Sequence, residues 1–165
     1  MHSGHRKLRR VAEERLEGPV VYELSLFNAD KPPLDYITVE ERCRQFQDAP
    51  VALTAAGTFA DKARLFPNST FVVGFDTARR LLEPRFYGDS DARMQAALDQ
   101  LRQQGCRFLV AGRCIDGVFH TIKDLAVPPR WRGLFLELPE SAFREDVSST
   151  ELRRRRVADR ATQTE

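Results

Sequence analysis

The sequence predicts an α/β protein built on an open parallel β-sheet that helices cover on both faces. Short runs of apolar and β-branched residues alternate along the chain with segments of helical period. This alternation is typical of βαβ units, in which a helix makes each crossover between parallel strands. Capping residues and Gly or Pro mark the ends of several helices, which supports the division into elements. In sheets of this kind, ligands bind at the carboxyl ends of strands, where the strand order reverses.

Four runs are predicted to be strands of one parallel sheet. They cover residues 20–26, 51–54, 70–75 and 107–111. Residues 113–120 are predicted to form a hairpin around Asp116-Gly117, a favoured two-residue turn. Residues 143–147 are predicted to form one last short strand.

The predicted helices start at capping residues or end at Gly or Pro. They cover approximately residues 3–16, 38–47, 59–66, 77–82, 90–104 and 149–156. Thr38 with Glu41 matches a capping box, and Thr58 is the expected N-cap of the helix that follows it. Gly105 suits the left-handed C-cap position of the long helix before it.

Composition limits the class of protein. The chain has 165 residues, enough for one domain, which we expect at residues 1–157 ahead of a disordered tail at residues 158–165. A net charge of +2 gives no reason to expect nucleic acid or a membrane as a partner, and no apolar run approaches the ~20 residues needed to cross a bilayer. Three cysteines without CxxC spacing argue against a disulfide framework and against a metal cage, so a cytoplasmic location is expected.

The first candidate motif is His2-Ser3-Gly4-His5, at the start of the first predicted helix. Histidines three residues apart lie on one side of a helical turn, and a glycine between them lets a phosphate approach the backbone. The free amides at a helix start favour an anion, and imidazoles can donate hydrogen bonds to phosphate oxygens. A four-residue pattern also occurs by chance, so alone it does not identify a phosphate site.

The second candidate motif, at residues 147–153, begins the last predicted helix. Ser148, followed three residues later by a glutamate, matches a capping box. Ser149 and Thr150 add hydroxyl groups, and Arg153 lies one turn further on, where its planar guanidinium can bind the same anion. Alone, an ordinary capped surface helix explains this motif at least as well.

Together the two motifs resemble the H-x-G-H and I-S-S-T-x-x-R elements of the nucleotidyltransferase superfamily, in particular the nicotinate and nicotinamide mononucleotide adenylyltransferases. Residues 38–42 resemble the family's E-E-R helix, residues 71–76 its strand ending in G-x-D, and residues 108–113 its later strand ending near an arginine. The resemblance covers about residues 2–156.

The chain departs from that family at one place. The family's first element is a strand that runs into G-x-F-x-P-x-H-x-G-H, whereas the first histidine of the motif here is already residue 2. In the family this strand lies in the middle of the sheet, so we expect a gap or an exposed edge between the strands at residues 20–26 and 70–75. An upstream start codon and a crippled remnant are both consistent with the sequence.

The resemblance implies a Rossmann-like fold and an enzyme of NAD biosynthesis. The reaction would transfer an adenylyl group from ATP, bound with Mg²⁺, to a mononucleotide such as nicotinamide or nicotinate mononucleotide, and would release pyrophosphate. The catalytic residues implied are His2, His5 and Arg153. The nucleotide-binding residues implied are Gly4, Gly74, Asp76, Ser148, Ser149 and Thr150. The substrate-binding residues implied are Lys31 and Arg113.

Other interpretations stay open at this stage. Asp76 could simply cap the helix that follows it, Lys31 could be a solvated loop residue, and Trp131 is expected to close the core rather than to stack on a nicotinamide ring. The chain could be another nucleotidyltransferase, acting with CTP or phosphopantetheine, or a truncated noncatalytic nucleotide-binding protein. Nucleic-acid binding through the arginines at residues 153–156 is disfavoured, because no aromatic residues are interleaved with them. The oligomeric state, including a homo-oligomer, is left open.

Overall fold

The computed structural model describes residues 3–27, 34–46 and 49–144. The α-helices are α1 (Ser3–Leu16), α2 (Tyr36–Cys43), α3 (Phe59–Leu65), α4 (Phe75–Leu81) and α5 (Asp91–Gln103). The strands are β1 (Tyr22–Ser25), β2 (Val51–Thr54), β3 (Thr70–Gly74), β4 (Arg107–Ala111), β5 (Arg113–Ile115), β6 (Val118–His120) and β7 (Phe135–Leu138). Short 3₁₀ helices lie at Arg44–Phe46, Pro84–Tyr87, Ile122–Asp124 and Pro129–Leu134.

Local side chains explain where most helices begin. Thr58 caps α3 by accepting a hydrogen bond from the amide of Asp61, as predicted. Ser90 caps α5 in the same way from Arg93, whereas the sequence was consistent with either Asp89 or Ser90. The predicted helix α2 is present, but its predicted N-cap was wrong. Asp35, not Thr38, is its N-cap, and the Asp35 carboxylate accepts hydrogen bonds from both the amide and the hydroxyl of Thr38. These bonds lower the pKa of Asp35.

All pairings among the four principal predicted strands are parallel, which confirms the α/β class. β1 pairs with β2 in the register Tyr22 to Val51, and β3 pairs with β4 in the register Thr70 to Arg107. β4 also pairs in parallel with β7. β5 and β6 form the predicted antiparallel hairpin, whose turn residues Asp116 and Gly117 both have positive φ.

Helices cover the three-stranded sheet β3-β4-β7 on both faces. Phe108 of β4 packs in one apolar cluster with Ala63 of α3 and Leu98 of α5. Its neighbour Leu109 packs in a second cluster with Ala12 of α1. Successive side chains of a strand point to opposite faces of a sheet, so α3 and α5 cover one face and α1 covers the other.

The sheet is interrupted between β1 and β3. The strand orders are β1-β2 and β3-β4-β7, and no backbone ladder joins the two sets within the described residues. Residues 20–26, 51–54, 70–75 and 107–111 thus contribute parallel strands to two small sheets rather than to a single one, and the predicted gap between the first and third of these strands is present.

The last strand lies elsewhere than predicted. β7 at Phe135–Leu138 was not anticipated, because it follows a 3₁₀ helix rather than an α-helical crossover. Phe143 and Arg144 follow a turn after β7 and lie outside any strand. The rest of the predicted strand at residues 143–147, the predicted last helix and the predicted tail lie outside the described residues.

Candidate functional site

The carboxyl ends of β3 and β4 place three of the predicted site residues together. Gly74 ends β3, Asp76 lies in the first turn of α4, and Arg113 begins β5 directly after β4. The Arg113 guanidinium donates a hydrogen bond to the Asp76 carboxylate, and the two side chains are 38% and 34% exposed. The pair is therefore accessible to a ligand approaching this edge of the sheet.

Gly74 is the N-cap of α4 but does not need to be glycine for steric reasons. Its backbone is extended, with φ −82° and ψ 162°, and a Cβ added there would meet no atom within 4 Å. Asp76 is not the N-cap, and its carboxylate is bonded by Arg113 instead. A carboxylate in the first turn also interacts favourably with the positive end of the helix dipole.

The β5–β6 hairpin folds a histidine back to the same edge. His120 lies at the end of β6, with its ring centroid 5.6 Å from that of Phe75 and its Nδ1 3.8 Å from Asp124. A Cβ added at Gly112 would lie 2.5 Å from the Phe119 ring, so this close approach requires glycine. No functional role was predicted for His120 from the sequence, although the Asp116-Gly117 turn directs it back toward β4.

Helix α1 runs antiparallel to β1. The Val20 amide is 3.3 Å from the Glu13 carboxylate, and the Tyr22 hydroxyl donates to the His5 carbonyl oxygen at 3.0 Å. The contact thus moves back along α1, from Glu13 to His5, as the chain advances from Val20 to Tyr22, the first residue of β1. This direction carries the first turn of α1, with buried Gly4 and half-buried His5, toward the carboxyl ends of the strands.

Other contacts agree with this direction. The Lys7 ammonium donates to the Arg144 carbonyl oxygen at 3.2 Å and lies 5.6 Å from the Phe143 ring centroid. Both partners follow the carboxyl end of β7. Burial raises the pKa of Tyr22, since the hydroxyl that bonds the His5 carbonyl is partly removed from water.

A cavity of about 590 Å³ occupies the gap between β1 and β3, and we call it the interstrand slot. Its walls include residues 20–23 beside β1 and residues 69–73 beside β3. His5 of α1 also borders it, whereas Gly74, Asp76 and Arg113 are not among its lining residues. The slot and the Asp76–Arg113 pair are therefore separate features of the same sheet.

One charged pair lies in the wall of the interstrand slot. The Lys62 ammonium is 2.6 Å from the Glu23 carboxylate, and their side chains are 13% and 23% exposed. The Thr54 hydroxyl bonds the same carboxylate, and Lys62 also lies 5.3 Å from the Phe59 ring centroid. This pair joins β1 and β2 to α3 across the interruption in the sheet. The Glu23–Lys62 pair was not predicted from the sequence.

The remaining predicted site residues lie outside the described residues. They are His2, Lys31, Ser148, Ser149, Thr150 and Arg153. Trp131 is 2% exposed and donates to the Asp99 carboxylate at 2.9 Å, so it closes the core as expected.

Comparisons with family models, with curated proteins and with solved structures found no match. Within residues 3–27, 34–46 and 49–144, no group of three or more His, Cys, Asp or Glu side chains is arranged to hold a metal ion. The helices of these segments are all too short or too polar to cross a membrane.

Proposed function

We propose that this protein transfers an adenylyl group from ATP to a mononucleotide, such as nicotinamide or nicotinate mononucleotide, and releases pyrophosphate. The observation that supports this reaction best is that residues predicted to bind the nucleotide lie toward the same edge of the sheet. The first turn of α1, with Gly4 and His5, and the strand ends that hold Gly74, Asp76 and Arg113 all face the carboxyl edge of the parallel sheet. Helix starts and strand ends at that edge are where parallel α/β sheets bind phosphates.

The proposal includes a Rossmann-like fold. One further parallel strand in the interstrand slot would give the order β2-β1-slot-β3-β4-β7. On one side of the slot, the strands follow the chain outward from β1 to β2. On the other side, they follow it outward from β3 through β4 to β7. The strand order would therefore reverse beside β3, the position at which such sheets bind nucleotides.

The proposed chemistry relies on positioning and charge. In adenylyl transfer the mononucleotide phosphate attacks the α-phosphorus of ATP in line with the leaving pyrophosphate, so little covalent work falls to the protein. His5, at the start of α1, would stabilise charge on the α-phosphate. The exposed Gly74 would admit the nucleoside, and the Asp76 carboxylate, oriented by Arg113, would accept a hydrogen bond from a ribose hydroxyl.

Residues outside the described segments complete the proposal. His2 would contact phosphate oxygens, and Lys31 would bind the mononucleotide. The β- and γ-phosphates would be held by Ser148, Ser149, Thr150 and Arg153. Mg²⁺ would enter as the counter-ion of the triphosphate, as part of the substrate.

The test is pyrophosphate release from ATP or CTP with a panel of mononucleotides, with the dinucleotide product identified by mass. We expect release with ATP and a pyridine mononucleotide, and a lower turnover for His5→Ala. Glu14→Ala, on the exposed side of α1, is the matched control and should behave like the parent. Dinucleotide formation only with CTP would show that the protein is a nucleotidyltransferase of another kind. ATP binding without any product would refute transfer in favour of a noncatalytic nucleotide-binding protein.

A further inference from the structure

A smaller cavity, which we call the arginine pocket, lies beside α1 and is bordered by cationic side chains. Its volume is about 210 Å³. Its lining residues are Arg6, Arg9, Arg10 and Glu13 of α1, Tyr22 at the start of β1, and Phe46 and Ala49. The four residues of α1 are spaced i, i+3, i+4 and i+7, so they form one stripe along the helix. Gly74, Asp76 and Arg113 are not among the lining residues, so the pocket is separate from the strand ends of the candidate site.

The arginine pocket carries an excess of positive charge. Arg9 lies 2.9 Å from the Glu13 carboxylate, and this hydrogen bond is the main cause that lowers the pKa of Glu13. Arg6 and Arg10 are exposed, and neither side chain has a hydrogen bond or an ion pair with the part of the chain that the structure describes. They lie four residues apart on one helix, a spacing at which like charges repel each other. Two guanidinium groups at the pocket are therefore not neutralised by a contact.

The order of charges along α1 is the reverse of the order that stabilises a helix. Its first half holds four Lys or Arg side chains, at residues 6–10, and no acidic residue, whereas Glu13 and Glu14 lie in its last turn beside Arg15. The helix dipole favours negative charge near the first turn and positive charge near the last. An anion bound at the arginine stripe would reduce both the repulsion between arginines and this unfavourable interaction with the dipole.

Aromatic side chains form part of the wall of the arginine pocket. The rings of Tyr22 and Phe46 pack with their centroids 4.8 Å apart. Burial raises the pKa of Tyr22, and the positive charges of Arg9 and Arg6 act in the opposite direction, which places both guanidinium groups near its hydroxyl. Charge interactions beside apolar groups are screened less than those in open water, so an anion in the pocket is bound more strongly than one on a flat surface.

We propose that the arginine pocket binds a small phosphate anion, either inorganic phosphate or pyrophosphate, through the guanidinium groups of Arg6 and Arg10. A guanidinium presents a planar fork of donors that matches phosphate oxygens. The volume of about 210 Å³ is below the roughly 300–1,000 Å³ typical of sites for larger organic ligands. The pocket therefore suits the phosphate group alone rather than a whole nucleotide, and this site goes beyond the proposed adenylyl transfer.

The experiment titrates the full chain with pyrophosphate and, separately, with inorganic phosphate in a calorimeter, at constant ionic strength and without nucleotide or Mg²⁺. One variant carries Arg6→Gln together with Arg10→Gln. Its matched control carries Lys7→Gln together with Arg15→Gln, which removes two exposed charges from the same helix outside the pocket. His5→Ala is titrated as well, because His5 belongs to the phosphate site of the proposed reaction. The urea midpoint of each variant is measured without ligand.

We expect one or both anions to bind the parent, and the Arg6 and Arg10 double variant to lose about tenfold or more in affinity, because charge-assisted hydrogen bonds are removed. The matched control and His5→Ala should keep the affinity of the parent. Without ligand and at low salt, the Arg6 and Arg10 double variant should unfold at the same or a higher urea concentration than the parent, because repulsion is relieved. A clearly lower midpoint would mean that these arginines support the fold, and would contradict the proposal.

Other outcomes would also overturn the proposal. They are no binding to the parent, and equal weakening by the two double variants, which would indicate a diffuse effect of charge. Weakening by His5→Ala alone would place the anion at the first turn of α1, in support of the proposed adenylyl transfer but against the arginine pocket. Asp48 directly precedes Ala49 in the sequence. Binding to Asp48→Asn but not to the parent would show that a carboxylate of the chain itself neutralises the arginines.

Discussion

The guanidinium of Arg113 bonds the carboxylate of Asp76, and this contact ties the end of β4 to the start of α4. The two residues are 37 positions apart in sequence, and they meet because β3 and β4 are neighbouring parallel strands that end at the same edge. Both side chains are about one third exposed. Their contact therefore arranges a surface rather than holding the core together.

A double-mutant cycle with Asp76→Asn and Arg113→Gln tests this view of the pair. We expect a coupling free energy of about 0.2–1 kcal/mol from urea unfolding, decreasing as salt is added, since partly exposed ion pairs are screened by solvent. A second cycle with Glu40→Gln and Arg44→Gln, an exposed ion pair one helical turn apart, is the matched comparison. A salt-independent coupling of several kcal/mol would contradict the exposed-surface assignment.

Gly74→Ala separates a structural from a functional need for glycine. Because the added Cβ meets open space, we expect a stability change below about 1 kcal/mol, as the weaker capping by Ala is offset by a less flexible unfolded chain. Gly112→Ala is the contrasting variant and should lose about 1–3 kcal/mol, because its Cβ collides with Phe119. Under the proposed function, Gly74→Ala also weakens ATP binding in a titration. Unchanged ATP affinity would show that the nucleoside does not pack on this glycine.

Much of the fold is predictable because its signals are local. α1 begins and ends at the predicted residues, since a helical period is followed by Gly18-Pro19, and β2 and β4 match their predicted bounds. The cap of α2 was missed because Asp35 and Thr38 are both capping residue types, and only the structure shows which accepts the backbone bond. The strand β7 was missed because four residues after a 3₁₀ helix become a strand only through pairing with β4.

The sequence was sufficient to predict which residues lie at the candidate site, but not which of their side chains are in contact. Gly74 lies near the end of a predicted strand, and Asp76 and Arg113 follow predicted strands, so their position at one edge follows from parallel pairing. The bond between Asp76 and Arg113 depends on β3 and β4 being adjacent, which sequence order alone does not require. The Glu23–Lys62 pair likewise depends on the packing of α3 over β1, a nonlocal relation without a sequence signal.

Tyr87 gives the protein a specific sensitivity to alkaline pH. Its hydroxyl donates to the Leu81 carbonyl oxygen at 3.1 Å, and burial raises the pKa of Tyr87 from 10.0 to about 12. The folded state therefore retains the proton that the unfolded chain releases near pH 10, so this contribution to stability is complete below about pH 10 and is lost between about pH 10 and 12. The measurement is tyrosinate absorbance against pH for the folded parent and for Tyr87→Phe. The difference between the two curves should show one group that titrates near pH 12. A difference curve centred near pH 10 would contradict the burial of this hydroxyl.

The last prediction concerns the phosphate contacts that the resemblance assigns to the second motif. Arg153 begins a run of four arginines and lies four residues after Ser149, one helical turn further along the predicted helix. If Arg153 binds the β- and γ-phosphates, Arg153→Ala loses charge-assisted hydrogen bonds and weakens ATP binding by roughly 1.5–3 kcal/mol, measured by calorimetry. Arg155→Ala removes the same charge two residues further on, on the opposite side of the predicted helix, and should change ATP affinity by well under half of that amount. Equal losses from the two variants would mean that the run acts only as a diffuse positive patch, in which case affinity should also fall steeply with added salt. A loss confined to Arg153 and largely retained at high salt identifies a specific phosphate contact, because short charge-assisted bonds are screened much less than separated surface charges.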